Sequence, residues 1–167
     1  MTQSRPVRRS PRLQSYDYSQ EGAYFVTICT HHREPLFGKI QSGELSLSAM
    51  GNAAFEDWQK IPSHYPSVEL DGFVVMPNHI HGIIFLVGEG FIPPAVATPP
   101  KSIYLSQVIA GYKAGVTRQI NRINSYTSSI WQRSFHDHII RSEPELNHIR
   151  HYVANNPSLW EQDKFYG

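Results

Sequence analysis

Two runs rich in β-branched and aromatic residues, VELDGFVVMP ending at Pro77 and HIHGIIFLV beginning at His79, are separated by a tight Pro77-Asn78 corner. Strands of this composition joined by so short a connection pair as an antiparallel hairpin, which becomes the centre of the fold. Upstream, YFVTICT over 24–30 has the same character and predicts a buried strand. After a loop containing Gly38 and Gly43, Met50, Ala54, Trp58 and Ile61 recur at helical spacing behind Ser48 as N-cap, and Pro62 ends the pattern. A second helix is predicted over 103–123 from Leu105, Val108, Ile109, Tyr112, Val116, Ile120 and Ile123. Phe135 to Ile140 alternates as a short strand. Ser142 to Glu145 then forms a capping-box signature with proline in the first turn, opening a third helix that ends near Pro157.

The order β, α, β, β, α, β, helix predicts a ferredoxin-like α+β fold. In it a four-stranded antiparallel sheet carries two helices on one face and leaves the other open for a ligand. One domain is expected over 24–157, behind a basic arm and lead-in over 1–23 and followed by a tail over 158–167. Residues 88–100 carry four prolines and read as an exposed connection within the domain.

The net charge of +1 conceals an uneven distribution. Arg5, Arg8, Arg9 and Arg12 stand in the first twelve residues without an acid, and residues 101–141 carry six basic side chains against Asp137. Between them, residues 17–100 hold three basic and nine acidic side chains. Such a split permits a polyanion-binding face, although charge blocks are also ordinary solvated surface. The basic start MTQSRPVRRSPR has no apolar stretch behind it, so neither a secretory signal nor a membrane span is expected. A single cysteine, Cys29, excludes an internal disulfide and a thiolate zinc cluster, and fits a cytoplasmic protein.

His79-Ile80-His81 lies at the start of a strand, where the two-residue period turns both imidazoles to one face and allows them to share a divalent ion. The bland alternative is a pair of half-buried polar strand residues. A rival pair, His136 and His138, has the same spacing on a shorter strand, with lining or DNA contact as its other reading. On the third helix Leu146, Ile149 and Val153 form an apolar stripe, while His148, Tyr152 and Asn156 fall on an adjacent polar one. Tyr152 alone is an ordinary half-buried packing residue. Beside a metal it becomes a candidate nucleophile, because a phenol of pKa about 10 is only about 0.1% ionised at pH 7 and phosphate oxygens repel a phenolate.

Four stretches, GAYFVTICTHHRE from Gly22, FVVMPNHIHGIIF from Phe73, IWQRSFHDHIIR from Ile130 and HIRHYVANNP from His148, carry a resemblance to a known family. The chain resembles the HUH single-tyrosine transposases, and within them the REP-associated tyrosine transposases of the insertion-sequence-200-like superfamily, over most of residues 12–160. The resemblance implies that His79 and His81 hold the ion, that Tyr152 is the nucleophile and that Asn156 is a further ligand. Because a residue before proline is biased away from helical geometry, Asn155 stays open as the alternative to Asn156. It also implies single-stranded DNA as substrate, beside hairpins such as REP-like palindromes. Cleavage would pass through a 5′-phosphotyrosine and a free 3′-hydroxyl, with Mg²⁺ or Mn²⁺ as cofactor, in a monomer or a homodimer.

Arg5, Arg8, Arg9 and Arg12, with Arg133 and Arg141, are the expected DNA contacts, ahead of Lys113, Arg118 and Arg122 on the second helix. Tyr16, Tyr18 and Tyr24, ahead of the histidines, keep a relaxase-like order open. Two other readings stand beside the nuclease. One is a non-catalytic nucleic-acid-binding module using an open sheet face. The other is a metallohydrolase in which water, rather than Tyr152, is the nucleophile.

Overall fold

The computed structural model describes residues 22–87, 103–126 and 128–166; the arginines of the N-terminal arm, Tyr16, Tyr18 and the proline-rich connection lie outside the described residues. The chain runs through β1 (Gly22–Cys29), a short hairpin of β2 (Gly38–Gln41) and β3 (Glu44–Leu47), then α1 (Ala49–Gln59) and α2 (Ile61–His64). It continues through β4 (Val68–Val75), β5 (His79–Leu86), α3 (Leu105–Ile123), β6 (His136–Ile140) and α4 (Glu143–Asn155). Four strands form an antiparallel sheet in the order β4-β5-β1-β6, the ferredoxin-like arrangement expected from the order of elements.

Strand alternation divides the side chains between two faces. Tyr24, Val26 and Ile28 of β1 and Ile80, Ile84 and Leu86 of β5 meet Ala54 and Trp58 of α1 and Val108, Tyr112, Val116 and Ile120 of α3 in the larger core. Gly82 belongs here for a steric reason: a Cβ at that position would collide with the Trp58 indole, so glycine lets the ring lie against the sheet. On the opposite face Ile83 and Ile140, with Phe25 and Phe85, pack against Leu146, Ile149 and Val153 of α4.

That second face is therefore not left open. The apolar stripe of α4 has to be buried, and it packs on β4 and β5. Two further departures are local. Gly38 and Gly43, read as loop residues, bound a hairpin, β2-β3, whose turn residues Ser42 and Gly43 both have positive φ, 53° and 77°. That conformation matches the right-handed strand twist and needs a residue as permissive as Gly43 at its second position. The first helix also stops at Gln59, and Pro62 starts the separate turn α2 rather than only ending α1.

Candidate functional site

His79 and His81 project from β5 toward α4, and their exposures are 0% and 1%. Each ring is held at Nδ1, His79 by Asn78 Oδ1 at 2.8 Å and His81 by Thr27 Oγ1 at 2.8 Å. Thr27 is there because the β1-β5 register sets it opposite His81. Asn78 is oriented from its other end, where Nδ2 donates to the Phe165 carbonyl at 2.9 Å. Its Oδ1 accordingly faces His79, so Nδ1 of that ring carries the hydrogen and Nε2 presents a lone pair.

His79 Nε2 and His81 Nε2 stand 3.1 Å apart. Two nitrogens bound to one ion at about 2.1 Å are about 3.0 Å apart at a right angle and about 3.4 Å apart at the tetrahedral angle. The observed spacing falls between these limits, a separation that one shared cation could bridge. Burial pushes His79 down to about 4, against a smaller opposing pull from the Asp163 carboxylate, and burial pushes His81 down to about 2. Both rings are neutral near pH 7, the form that binds metals.

α4 brings up the tyrosine. Its first turn is capped by Ser142 Oγ, which accepts from the Glu145 N–H at 3.3 Å, and Pro144 takes a position where no amide hydrogen is needed. The half-buried Tyr152 ring lies edge-on to Phe25 at 6.0 Å and 5.3 Å from the His81 ring. Its hydroxyl is 3.4 Å from His81 Nε2 and 3.4 Å from Asp163 Oδ2. Burial, followed by the negative charge of Asp163, raises the phenol above its ordinary value.

One turn later Asn156 keeps helical geometry, with φ −56° and ψ −41°, although Pro157 follows. Asn156 is buried and Asn155 is exposed. Asn156 Nδ2 donates to Asp163 Oδ2 at 3.0 Å, whereas its Oδ1 is buried without a hydrogen-bond partner. The amide adjoins His79 closely enough to favour a positive charge on that ring. An orphaned amide oxygen beside an imidazole lone pair fits a cation-binding role, because unpaired acceptors are costly inside a protein.

The segment after α4, read in sequence as a tail, returns to this site through a 3-10 turn over Trp160–Gln162. The Phe165 ring lies 4.7 Å from His79 and 5.9 Å from His81, and Trp160 lies 5.9 Å from His79. Asp163 follows that turn, and His79, His81 and Asp163 offer ligand atoms that all lie within 4.8 Å of one another.

His136 and His138, the rival pair, share the sheet face but are exposed, and His138 Nε2 lies 2.6 Å from Glu145 Oε1. Arg133 and Arg141 are exposed at either end of the β6 region. Lys113 donates to the Gln132 and Ser134 carbonyls, and Arg118 and Arg122 are exposed on α3, which packs on the sheet face away from the histidines. Tyr24 is buried in that same opposite core, so its hydroxyl is not part of the histidine cluster. Sequence reasoning missed Thr27, Asn78, Asp163 and Phe165. Asn78 was visible in the corner beside His79, but Thr27 requires the strand register, and Asp163 stands in a stretch with no periodic signal.

No family model matches the chain. A Haemophilus influenzae protein named only as uncharacterised is 42% identical over 168 residues, covering 95% of this chain and 93% of its own length. A second protein from that organism, provisionally named a REP-associated tyrosine transposase, is 27% identical over 150 residues, covering 84% of this chain and 73% of its own. Among solved structures, a REP-associated tyrosine transposase bound to a REP hairpin superposes with a TM-score of 0.58 at 20% identity. The match spans 93% of this chain and 77% of that one. A Deinococcus radiodurans protein provisionally described as a transposase superposes with a TM-score of 0.50 at 15% identity, over 86% of this chain and 95% of that one.

Proposed function

We propose that this chain is a REP-associated tyrosine transposase that cuts and rejoins single-stranded DNA beside hairpins, with Tyr152 as nucleophile and a divalent ion at His79 and His81. The observation that carries the reading is the Tyr152 hydroxyl 3.4 Å from the Nε2 of His81, whose neighbour His79 turns a lone pair into the same space. Asn156, with its unpartnered Oδ1, is the further ligand from α4. Mg²⁺ or Mn²⁺ is the expected ion; when bound, it would neutralise phosphate charge and favour the ionised phenol.

The rest of the chemistry falls to the chain. β5 and α4 are packed together through Ile83, Ile149 and Val153, so the phenol is held at a set distance from the histidine pair. The Tyr152 oxygen attacks phosphorus and the bond to the 3′-oxygen breaks. The phenol loses a proton and the departing 3′-oxygen gains one. The product is a 5′-phosphotyrosine with a free 3′-hydroxyl, and attack by another 3′-hydroxyl reverses the step. One phosphodiester bond is exchanged for another of similar energy, so no nucleotide triphosphate is needed. Tyr152 approaches the histidines of its own chain, which supports a site complete within one protomer.

The deciding experiment is Tyr152→Phe on a hairpin-bearing single strand with Mn²⁺. Cleavage is expected to fall to background with hairpin affinity nearly unchanged, and mass spectrometry of the wild-type reaction should place the 5′-phosphate on the peptide containing Tyr152. Cleavage at the wild-type rate by the variant would remove Tyr152 from the mechanism.

A further inference from the structure

The two histidines and Asn156 are all neutral donors, whereas hard divalent ions such as Mg²⁺ and Mn²⁺ favour sites with at least one carboxylate oxygen. We propose that Asp163, from the segment after α4, is a direct ligand of the ion. This assignment rests on the metal-dependent reading above and adds the anionic donor that it lacks.

The argument begins with distance. Ligands on opposite sides of an ion at about 2.1 Å stand about 4.2 Å apart. The donor atoms of His79, His81 and Asp163 all lie within 4.8 Å, so movements of a few tenths of an ångström bring them into one coordination sphere. Charge points the same way. The Asp163 carboxylate accepts from the Phe165 N–H at 2.7 Å, from Asn156 Nδ2 at 3.0 Å and from the Tyr152 hydroxyl at 3.4 Å. All three donors are neutral, so they orient the carboxylate without cancelling its charge. The Oδ2 that meets Asn156 and Tyr152 is turned toward the two groups that border the histidine lone pairs.

Ligation by Asp163 has a structural consequence. Trp160 and Phe165 flank it and lie against His79, so an ion held jointly by β5 and Asp163 fastens the C-terminal segment to the sheet. The carboxylate also changes its relation to the nucleophile. Facing Tyr152 directly, its charge opposes ionisation of the phenol; shared with a cation, that opposition is offset.

The test is Mn²⁺ binding to the full chain, followed by the electron paramagnetic resonance signal of the free ion. His79→Ala and His81→Ala should each lose binding. Asp163→Asn, which keeps one acceptor oxygen for the Phe165 N–H, should weaken it about tenfold or more. To separate direct ligation from mere orientation of neighbours, Asp163→Cys in a Cys29→Ser background should give a sulfur-to-cadmium charge-transfer band on Cd²⁺ addition, absent from Cys29→Ser alone. Affinity of Asp163→Asn within about twofold of wild type, or no new band, would overturn the assignment. If the histidine variants lose Mn²⁺ while Asp163→Asn retains it, Asp163 alone is excluded. If the wild-type chain takes up no Mn²⁺, the metal-dependent reading falls with it.

Discussion

At the scale of single residues, the site depends as much on what holds the imidazoles as on the imidazoles themselves. Thr27 shows this. It is buried, it makes the 2.8 Å contact to His81 Nδ1, and valine has nearly its shape and suits a strand. Thr27→Val should therefore keep the fold while releasing the His81 ring, and Mn²⁺ affinity should drop about tenfold. Titration calorimetry checks this, and an unchanged affinity would mean that packing against Phe25, whose ring stacks on His81 at 5.2 Å, orients the ring by itself. The histidine pair was legible in sequence because residues two apart on a strand share a face. Thr27 was not, because its place beside His81 is a property of strand register.

Among the elements, α4 does most to assemble the site, and it is docked at two points. One is the apolar stripe of Leu146, Ile149 and Val153; the other is Arg150, whose Nε and Nη2 donate to Asp71 at 2.9 and 2.7 Å. Asp71 sits at the irregularity in the β4-β5 ladder between Leu70 and Phe73, which turns its carboxylate toward α4. The Arg150 hydrogen bonds are the largest cause holding that carboxyl below its ordinary 3.8. A depressed carboxylate stabilises the fold above its unfolded value, and the contribution is lost as pH falls through the folded value. The pair is partly exposed and screened by water, so Asp71→Asn should lower Tm by only about 1–3 °C at pH 7. The difference should close as pH is taken below 3.8, which thermal melts at pH 7 and near pH 3 would show; a gap that persists in acid would mean that Asp71 acts through the bulge backbone instead. The period of the α4 stripe was readable in sequence. The β2-β3 hairpin was not, since strands of four residues give too little alternation to separate from a loop.

Over the whole molecule, the sheet separates chemistry from support. The face carrying α1 and α3 is closed by the larger core, and the exposed Arg118 and Arg122 of α3 therefore stand on the far side from the histidines. The arm with Arg5, Arg8, Arg9 and Arg12, which lies outside the described residues, remains our proposed contact to the DNA backbone. Each single-strand phosphate contact adds about 0.7 to the slope of log affinity against log salt, so deleting residues 1–12 should lower that slope by about 2 to 3. Binding measured across a salt series tests this, with cleavage expected to persist at saturating protein. An unchanged slope would move the contact to Arg133 and Arg141, which are exposed beside the site face.

The order of elements, the ferredoxin-like topology and the common orientation of His79 and His81 follow from periods of two and of three to four residues, which neighbouring amino acids impose on one another through local geometry. The closure of the second sheet face by α4 and the return of Asp163 and Phe165 to the histidines follow from no such period. Tyr152 and His81 are 71 residues apart, and Asn78 and Phe165 are 87 apart. Their meeting depends on which apolar stripe found which sheet face, a choice made by burying surface across the whole chain.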